Sequence, residues 1–171
     1  MPSKTVLVVD ASILIDLYKA DVLDKIKLLP YQMEMADFVW HEVIYPDPAE
    51  LETLGLSPTV FSEEEIDEIA LLQATCKGLS AADCSNIILA KKLSRKKRVV
   101  FLGVHDSALF REAKRQGVAC KDGLDLLDEL VVAKAIDLGL AHECLPHLGR
   151  GRPEVVMSRT TELIEKWRKN R

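Results

Sequence analysis

Four acidic residues stand where a carboxylate invites an explanation. Asp10 ends the apolar run Thr5–Val9 (TVLVV), and Asp106 follows a second apolar run, VVFLGV (99–104), after one histidine. Asp83 is the fourth residue of Ser80-Ala81-Ala82-Asp83, which heads the segment CSNIILAKKL, and Glu42 lies in WHEV beyond a weak early strand. An acid directly after a strand buried on both faces must be solvated at the sheet edge or compensated by a cation. When several such carboxylates share a pocket, their repulsion raises their pKa values unless positive charge is supplied. A hard divalent ion such as Mg2+ or Mn2+ is the usual source, because it prefers oxygen ligands and keeps some of its waters. An ion of that kind activates a water and polarises a phosphoryl oxygen, which is the chemistry of phosphodiester hydrolysis.

Each acid also has an ordinary role open to it. Asp10 and Asp106 have the positions of helix N-caps, Ser80 and Asp83 have capping-box spacing, and Glu42 fits an exposed helix face. Asn86 is one turn after Asp83 and shares its helix face, so it is either a neighbour of the phosphate or metal water or a solvated polar residue. His105 is a lone histidine beside Asp106. The segment HECLPH (142–147) offers His142, Cys144 and His147, but a fourth ligand and the usual zinc spacing are missing. A phosphatase with an aspartyl nucleophile needs a second aspartate two residues after Asp10, where Ser12 stands.

The elements that must position these residues follow from punctuation and periodicity. Val-rich runs at 5–9 and 99–104 and the shorter VAC (118–120) read as strands of a buried sheet. Residues 12–20 and 22–29 read as helices, the second closed by Pro30, and 33–36 as a brief strand before a helix with Asp37 as its N-cap. The stretch PDPAELETLGLSPTV (46–60) reads as a loop or hinged insertion. Ser62 with Glu65, and Ser80 with Asp83, open two further helices. Gly117 closes the helix that follows Asp106. GLDLLDELVVAKAIDLG (123–139) reads as one helix, and ELIEKWRKNR (162–171) as a basic terminal helix. Strands alternating with helices predict an α/β fold of three layers, α/β/α, around a mostly parallel central sheet, with a C-terminal helical extension. In an open parallel sheet, sites form beyond the C-terminal ends of the strands, which lets Asp10 and Asp106 converge there.

A chain of 171 residues, 48% hydrophobic and 29% charged, with mean hydropathy +0.04, has the profile of one globular domain rather than a disordered or fibrous chain. No apolar run approaches the ~18 residues of a membrane span. The start, MPSKTVLVVD, lacks the pattern of a signal peptide, and four cysteines without a C-x-x-C pair fit a reduced, cytoplasmic setting. The net charge of −4 hides an asymmetry: residues 1–75 hold 4 Lys/Arg against 15 Asp/Glu, and residues 76–171 hold 19 against 12. The basic half includes Arg95, Lys96, Lys97 and Arg98, together with Arg150, Arg152, Arg159, Lys166, Arg168, Lys169 and Arg171 in the tail. These residues are candidates for phosphate contacts, or else a solvated turn and a helix end favoured by the macrodipole.

The segments VVDASILIDL (8–17), WHEV (40–43), LSAADCSNIILAKKL (79–93) and GVHDSALFREAKRQGV (103–118) resemble, in order and spacing, the PIN-domain family of metal-dependent ribonucleases. The likeness is greatest to the single-domain kind that includes the VapC-type toxins of toxin–antitoxin pairs. It implies catalytic and metal-ligating roles for Asp10, Glu42, Asp83 and Asp106, with Ser12 and Asn86 in support, and Mg2+ or Mn2+ as cofactor. It also implies an RNA substrate cleaved to a 5′-phosphate and a 3′-hydroxyl, an antitoxin partner and a homodimer. Val104 departs from the hydroxyl residue usual in the family's T-x-D motif. On this reading residues 1–144 form the nuclease domain and 145–171 a basic extension packed on it or prolonging it. A catalytically weak module that binds RNA or protein without cutting is the competing expectation.

Overall fold

The computed structural model of this 171-residue chain describes residues 5–96, 98–148 and 153–169, the side chains of 153–156 excepted. Lys97, Arg150, Arg152 and Arg171 therefore lie outside the described residues. Five parallel strands form the central sheet in the order β3-β2-β1-β4-β5. They are β1 (Thr5–Val9), β2 (Tyr31–Ala36), β3 (Pro58–Thr59), β4 (Val100–Gly103) and β5 (Ala119–Lys121). β1 lies in the middle, and Val6 to Val9 are fully buried, as an uninterrupted apolar run requires of a strand covered on both faces. Register pairs Val9 with Gly103, so β1 and β4 end level with each other.

Helices cover both faces. α1 (Ala11–Lys19) leaves β1 directly, and α2 (Asp37–Glu42) leaves β2. α3 (Pro48–Thr53) and α4 (Glu63–Thr75) precede α5 (Ala81–Arg95), the most buried helix, with Ile87, Leu89 and Ala90 inaccessible to solvent. α6 (Ser107–Arg115) follows β4, and α7 (Gly123–Val132), α8 (Leu138–Leu148) and α9 (Pro153–Lys169) complete the chain. The expected capping boxes of α4 and α5 are both formed, with Glu65 N–H on Ser62 and Asp83 N–H on Ser80. The three-layer α/β/α architecture is the one the sequence predicts, with the sheet entirely parallel.

Several segments differ from the sequence expectation: the helix expected over 22–29 is a 3-10 helix over Leu23–Leu28, and the terminal helix starts at Pro153 rather than near 162. The stretch 46–60 contains α3, capped by a box of Asp47 and Glu50, and the edge strand β3 paired to Met35 and Ala36. Asp37 is the first residue inside α2 rather than its cap, which falls to Ala36. The helix expected over 123–139 breaks after Val132: Lys134 takes a left-handed φ of 55°, and Ala135 N–H bonds Leu130 O. The turn lets α8 pack back against α7 and α1 instead of running on into solvent.

The basic tail is docked by its own charges. Trp167 is 3% exposed, its indole N–H bonds Asp128 Oδ1 at 2.9 Å, and its ring meets His142 edge-on. Lys166 pairs with Asp128 at 2.5 Å, and Arg159 with Asp122 and, at 2.8 Å, Asp125. Arg159 and Lys166 are thus held by acids of α7 and its cap. Residue 144, the expected boundary, falls inside α8. In HECLPH, the Cys144 thiol is buried against Ala20 O and a His142 ring nitrogen lies 2.5 Å from Leu138 O, so the three candidate ligands do not converge.

Candidate carboxylate site at the sheet edge

The end of β1 delivers Asp10 to the centre of the C-terminal sheet edge, where it caps α1 and is 7% exposed. Two neighbours fix it there. Asp10 N–H bonds Gly103 O at 3.0 Å, which joins the end of β1 to the end of β4. Ser12 donates to Asp10 Oδ2 from both its backbone (3.0 Å) and its hydroxyl (2.5 Å). The same hydroxyl accepts the His105 N–H at 3.1 Å, so one side chain ties the end of β1 to the end of β4.

The third contact comes from 76 residues away. Asn86 on α5 is wholly buried and donates Nδ2–H to Asp10 Oδ1 at 2.8 Å, while its Oδ1 has no hydrogen-bond partner. A buried amide oxygen left unpaired costs about 1–3 kcal/mol. The feature is therefore one that a polar ligand would relieve.

Asp83 lies one turn before Asn86 on α5, with one oxygen bonded to Ser80 N–H at 2.7 Å. Glu42 sits exposed at the rim, at the end of α2. The three acids feel one another. Burial above all pushes the Asp10 carboxyl up, against the Ser12 hydrogen bonds, and the Asp83 carboxylate pushes it further. The Glu42 carboxyl is raised by partial burial, then by Asp83 and Asp10. Among the described residues no cation figures in the leading influences on these two carboxyls, and no group of three acidic, histidine or cysteine side chains is drawn in closely enough to hold an ion as it stands. Carboxylates without counter-charge repel. Hydrogen bonds from Ser12, Asn86 and Ser80 hold Asp10 and Asp83 in place.

Asp106 occupies the expected place just beyond the end of β4. It is exposed, and its Oδ1 accepts Ala108 N–H (2.9 Å) and Leu109 N–H (2.8 Å) as the cap of α6. Val104 faces the core and is fully buried, so this position presents no polar group to the site. His105 Nδ1 stands 3.4 Å from Asp16 Oδ2, a pairing absent from the sequence expectations. Its signal was the spacing of Ser12 and Asp16, four residues apart on one face of α1.

The basic run lies elsewhere. Arg95 ends α5, twelve residues beyond Asp83, about 18 Å away at 1.5 Å per residue. Arg95 faces Glu68 at 3.7 Å, and Arg98 is engaged by Gln32 and by Glu34 at 3.9 Å. Lys96 caps the C-terminal end of α5. These residues flank the start of β4, at the edge of the sheet opposite Asp10.

A family model described as a PIN domain matches residues 6–156 of the chain. No curated protein and no solved structure matches it. No helix among the described residues is long and apolar enough to cross a membrane.

Proposed function

Because the chain belongs to the PIN-domain family, a family of nucleases, we propose that it is a metal-dependent endoribonuclease hydrolysing RNA phosphodiester bonds with Mg2+ or Mn2+. The observation that carries the reading is the grouping of Asp10, Glu42 and Asp83 around a buried amide whose carbonyl oxygen is unpaired. The donor set is all oxygen, which fits a hard divalent cation. Asp10, Asp83 and Glu42 are the residues that would hold it, and the ion would supply a nucleophilic water and charge for the phosphoryl oxygens.

The chain's own groups have distinct tasks. Ser12 and Asn86 hold the two oxygens of Asp10 in a fixed orientation. Asp83 stands on α5, and Glu42 stands exposed at the rim, at the end of α2. Asp106 caps α6 through Oδ1 alone, which leaves Oδ2 to join the set.

That cap also favours a second reading, a catalytically weak module in which Asp106 stays on α6 and the protein binds RNA or a protein partner without cutting. One experiment separates the two. Structured and single-stranded RNA are incubated with the protein in Mg2+, Mn2+ or EDTA, beside Asp10→Asn and Asp83→Asn. Cleavage confined to the unmutated protein with metal supports the nuclease. Salt-sensitive binding without cleavage by any form supports the binding module. The likeness to VapC-type toxins extends the proposal to a role held in check by an antitoxin. The acidic first turn of α4, Glu63 to Glu65, suits docking of a basic antitoxin segment. Co-purification of the chain with a neighbouring gene product tests that extension.

A further inference from the structure

Between the end of α4 and the face of α6 runs a groove of about 510 Å³ that the carboxylate site does not use. One end abuts that site: Leu79 immediately precedes the α5 cap Ser80, and Ala108 lies two residues after Asp106. From there the lining passes to Lys77, Arg111 and Arg115. Arg111 stands five residues along α6 from Asp106, about 7.5 Å at 1.5 Å per residue.

The three cations are not equivalent. Arg115 is committed to Glu112, donating from Nε at 2.8 Å and from a terminal nitrogen at 2.7 Å. That pairing, led by the Arg115 hydrogen bonds, holds the Glu112 carboxyl at about 2, so the pair stays closed at neutral pH. Lys77 and Arg111 are exposed, and among the described residues neither has a carboxylate partner. They are the uncommitted positive charge beside the acids, whereas Arg95 and Arg98 are engaged by glutamates at the opposite sheet edge.

We propose that this groove seats the phosphate backbone of a single-stranded RNA substrate as it enters the carboxylate site, with Arg111 and Lys77 each holding one phosphate. The arginine fork takes a phosphate through paired N–H groups, and the lysine acts as a mobile point charge. Two exposed cations along one groove address one backbone, not the two of a duplex. The acids then sit beside a strand that is already anchored, which offsets their repulsion of the substrate's charge.

The inference rests on the nuclease reading, so its test measures binding in the Asp10→Asn protein, where cutting plays no part. A short fluorescein-labelled single-stranded RNA is titrated across a salt series and followed by anisotropy. Each single-strand phosphate contact contributes about 0.7 to the slope of log K against log salt. The double change Lys77→Ala and Arg111→Ala is expected to reduce that slope by about 1.4 and to weaken binding uniformly across sequences. Lys27→Ala, a surface charge outside the groove, leaves it unchanged. An unchanged slope in the double variant, or an equal loss on Arg95→Ala with Arg98→Ala, overturns the groove. So does loss of binding to an acidic peptide with RNA binding intact. A lost slope in a protein whose unmutated form cuts no RNA supports the groove and removes the nuclease reading.

Discussion

Changing Asn86 to aspartate replaces a donor with an oxygen about where Nδ2 now lies, 2.8 Å from Asp10 Oδ1, with both residues buried. Two full charges at that separation repel by about 6 kcal/mol at an effective dielectric of ~20. An uncompensated buried charge in other proteins costs about 3–5 kcal/mol, so the expected loss in EDTA at neutral pH is about 3–6 kcal/mol. The sign with pH follows from linkage. The folded pair keeps a proton that the unfolded chain gives up at an ordinary carboxylate pKa. Stability is therefore lost as pH rises and regained as it falls toward that value. Asn86→Leu is the control. It removes an unpaired carbonyl costing about 1–3 kcal/mol but leaves the buried Asp10 Oδ1 without its donor, so it destabilises by about 1–3 kcal/mol with no added charge. Urea unfolding, read by the fluorescence of Trp40 and Trp167, measures both variants in EDTA and again with Mg2+. Divalent ion should restore much of the aspartate variant's loss and little of the leucine variant's. Equal losses in the two would refute the reasoning, because packing rather than charge would then be the cause.

Ser12→Ala removes the hydroxyl shared by Asp10 and His105 N–H and should cost about 1–3 kcal/mol in unfolding experiments. Cleavage should fall more than stability does, because Asp10 loses its orienting donor. With the Asp10 carboxyl raised by burial, its contribution in EDTA is greatest below its unfolded value near 4 and declines as pH rises through the folded value. Asp10→Asn should therefore gain in melting temperature over the unmutated protein as pH moves from about 4 toward neutrality. A constant difference would show that the charge is not strained. Trp167→Ala, which empties the dock of α9, should destabilise by about 3–5 kcal/mol if α9 unfolds with the rest of the domain, and should leave RNA cleavage intact. Urea titration and an activity assay on the same preparation check both halves.

What the sequence disclosed depended on how local the cause was. β1 and β4 were legible because each is a short run with no charged residue. The caps of α4 and α5 were legible because both partners lie within four residues. The same signal, Asp47 with Glu50 and a proline at the helix start, was present for α3 but was masked by the surrounding prolines. The break after Val132 carries no glycine or proline, since Lys134 itself takes the left-handed turn. Asp10, Glu42 and Asp83 were placed by topology and by resemblance to a family. Periodicity alone leaves them as caps and surface residues. The contact of Asn86 with Asp10 spans 76 residues, and that of Arg159 with Asp125 spans 34, so no local pattern announces either. The position of Arg95 followed from connectivity: a helix that starts at the site's edge of the sheet must finish at the other.

The proposed nuclease role of the carboxylate site is tested most directly by the ends of RNA fragments. End-labelled single-stranded RNA is incubated with the unmutated protein and with Asp10→Asn, in Mg2+ and in EDTA, and the fragments are examined for their termini. The account predicts cleavage by the unmutated protein in Mg2+ alone, giving 5′-phosphate and 3′-hydroxyl ends from a water attacking phosphorus. Cleavage that persists in EDTA or in Asp10→Asn, or fragments ending in a cyclic phosphate, would contradict it.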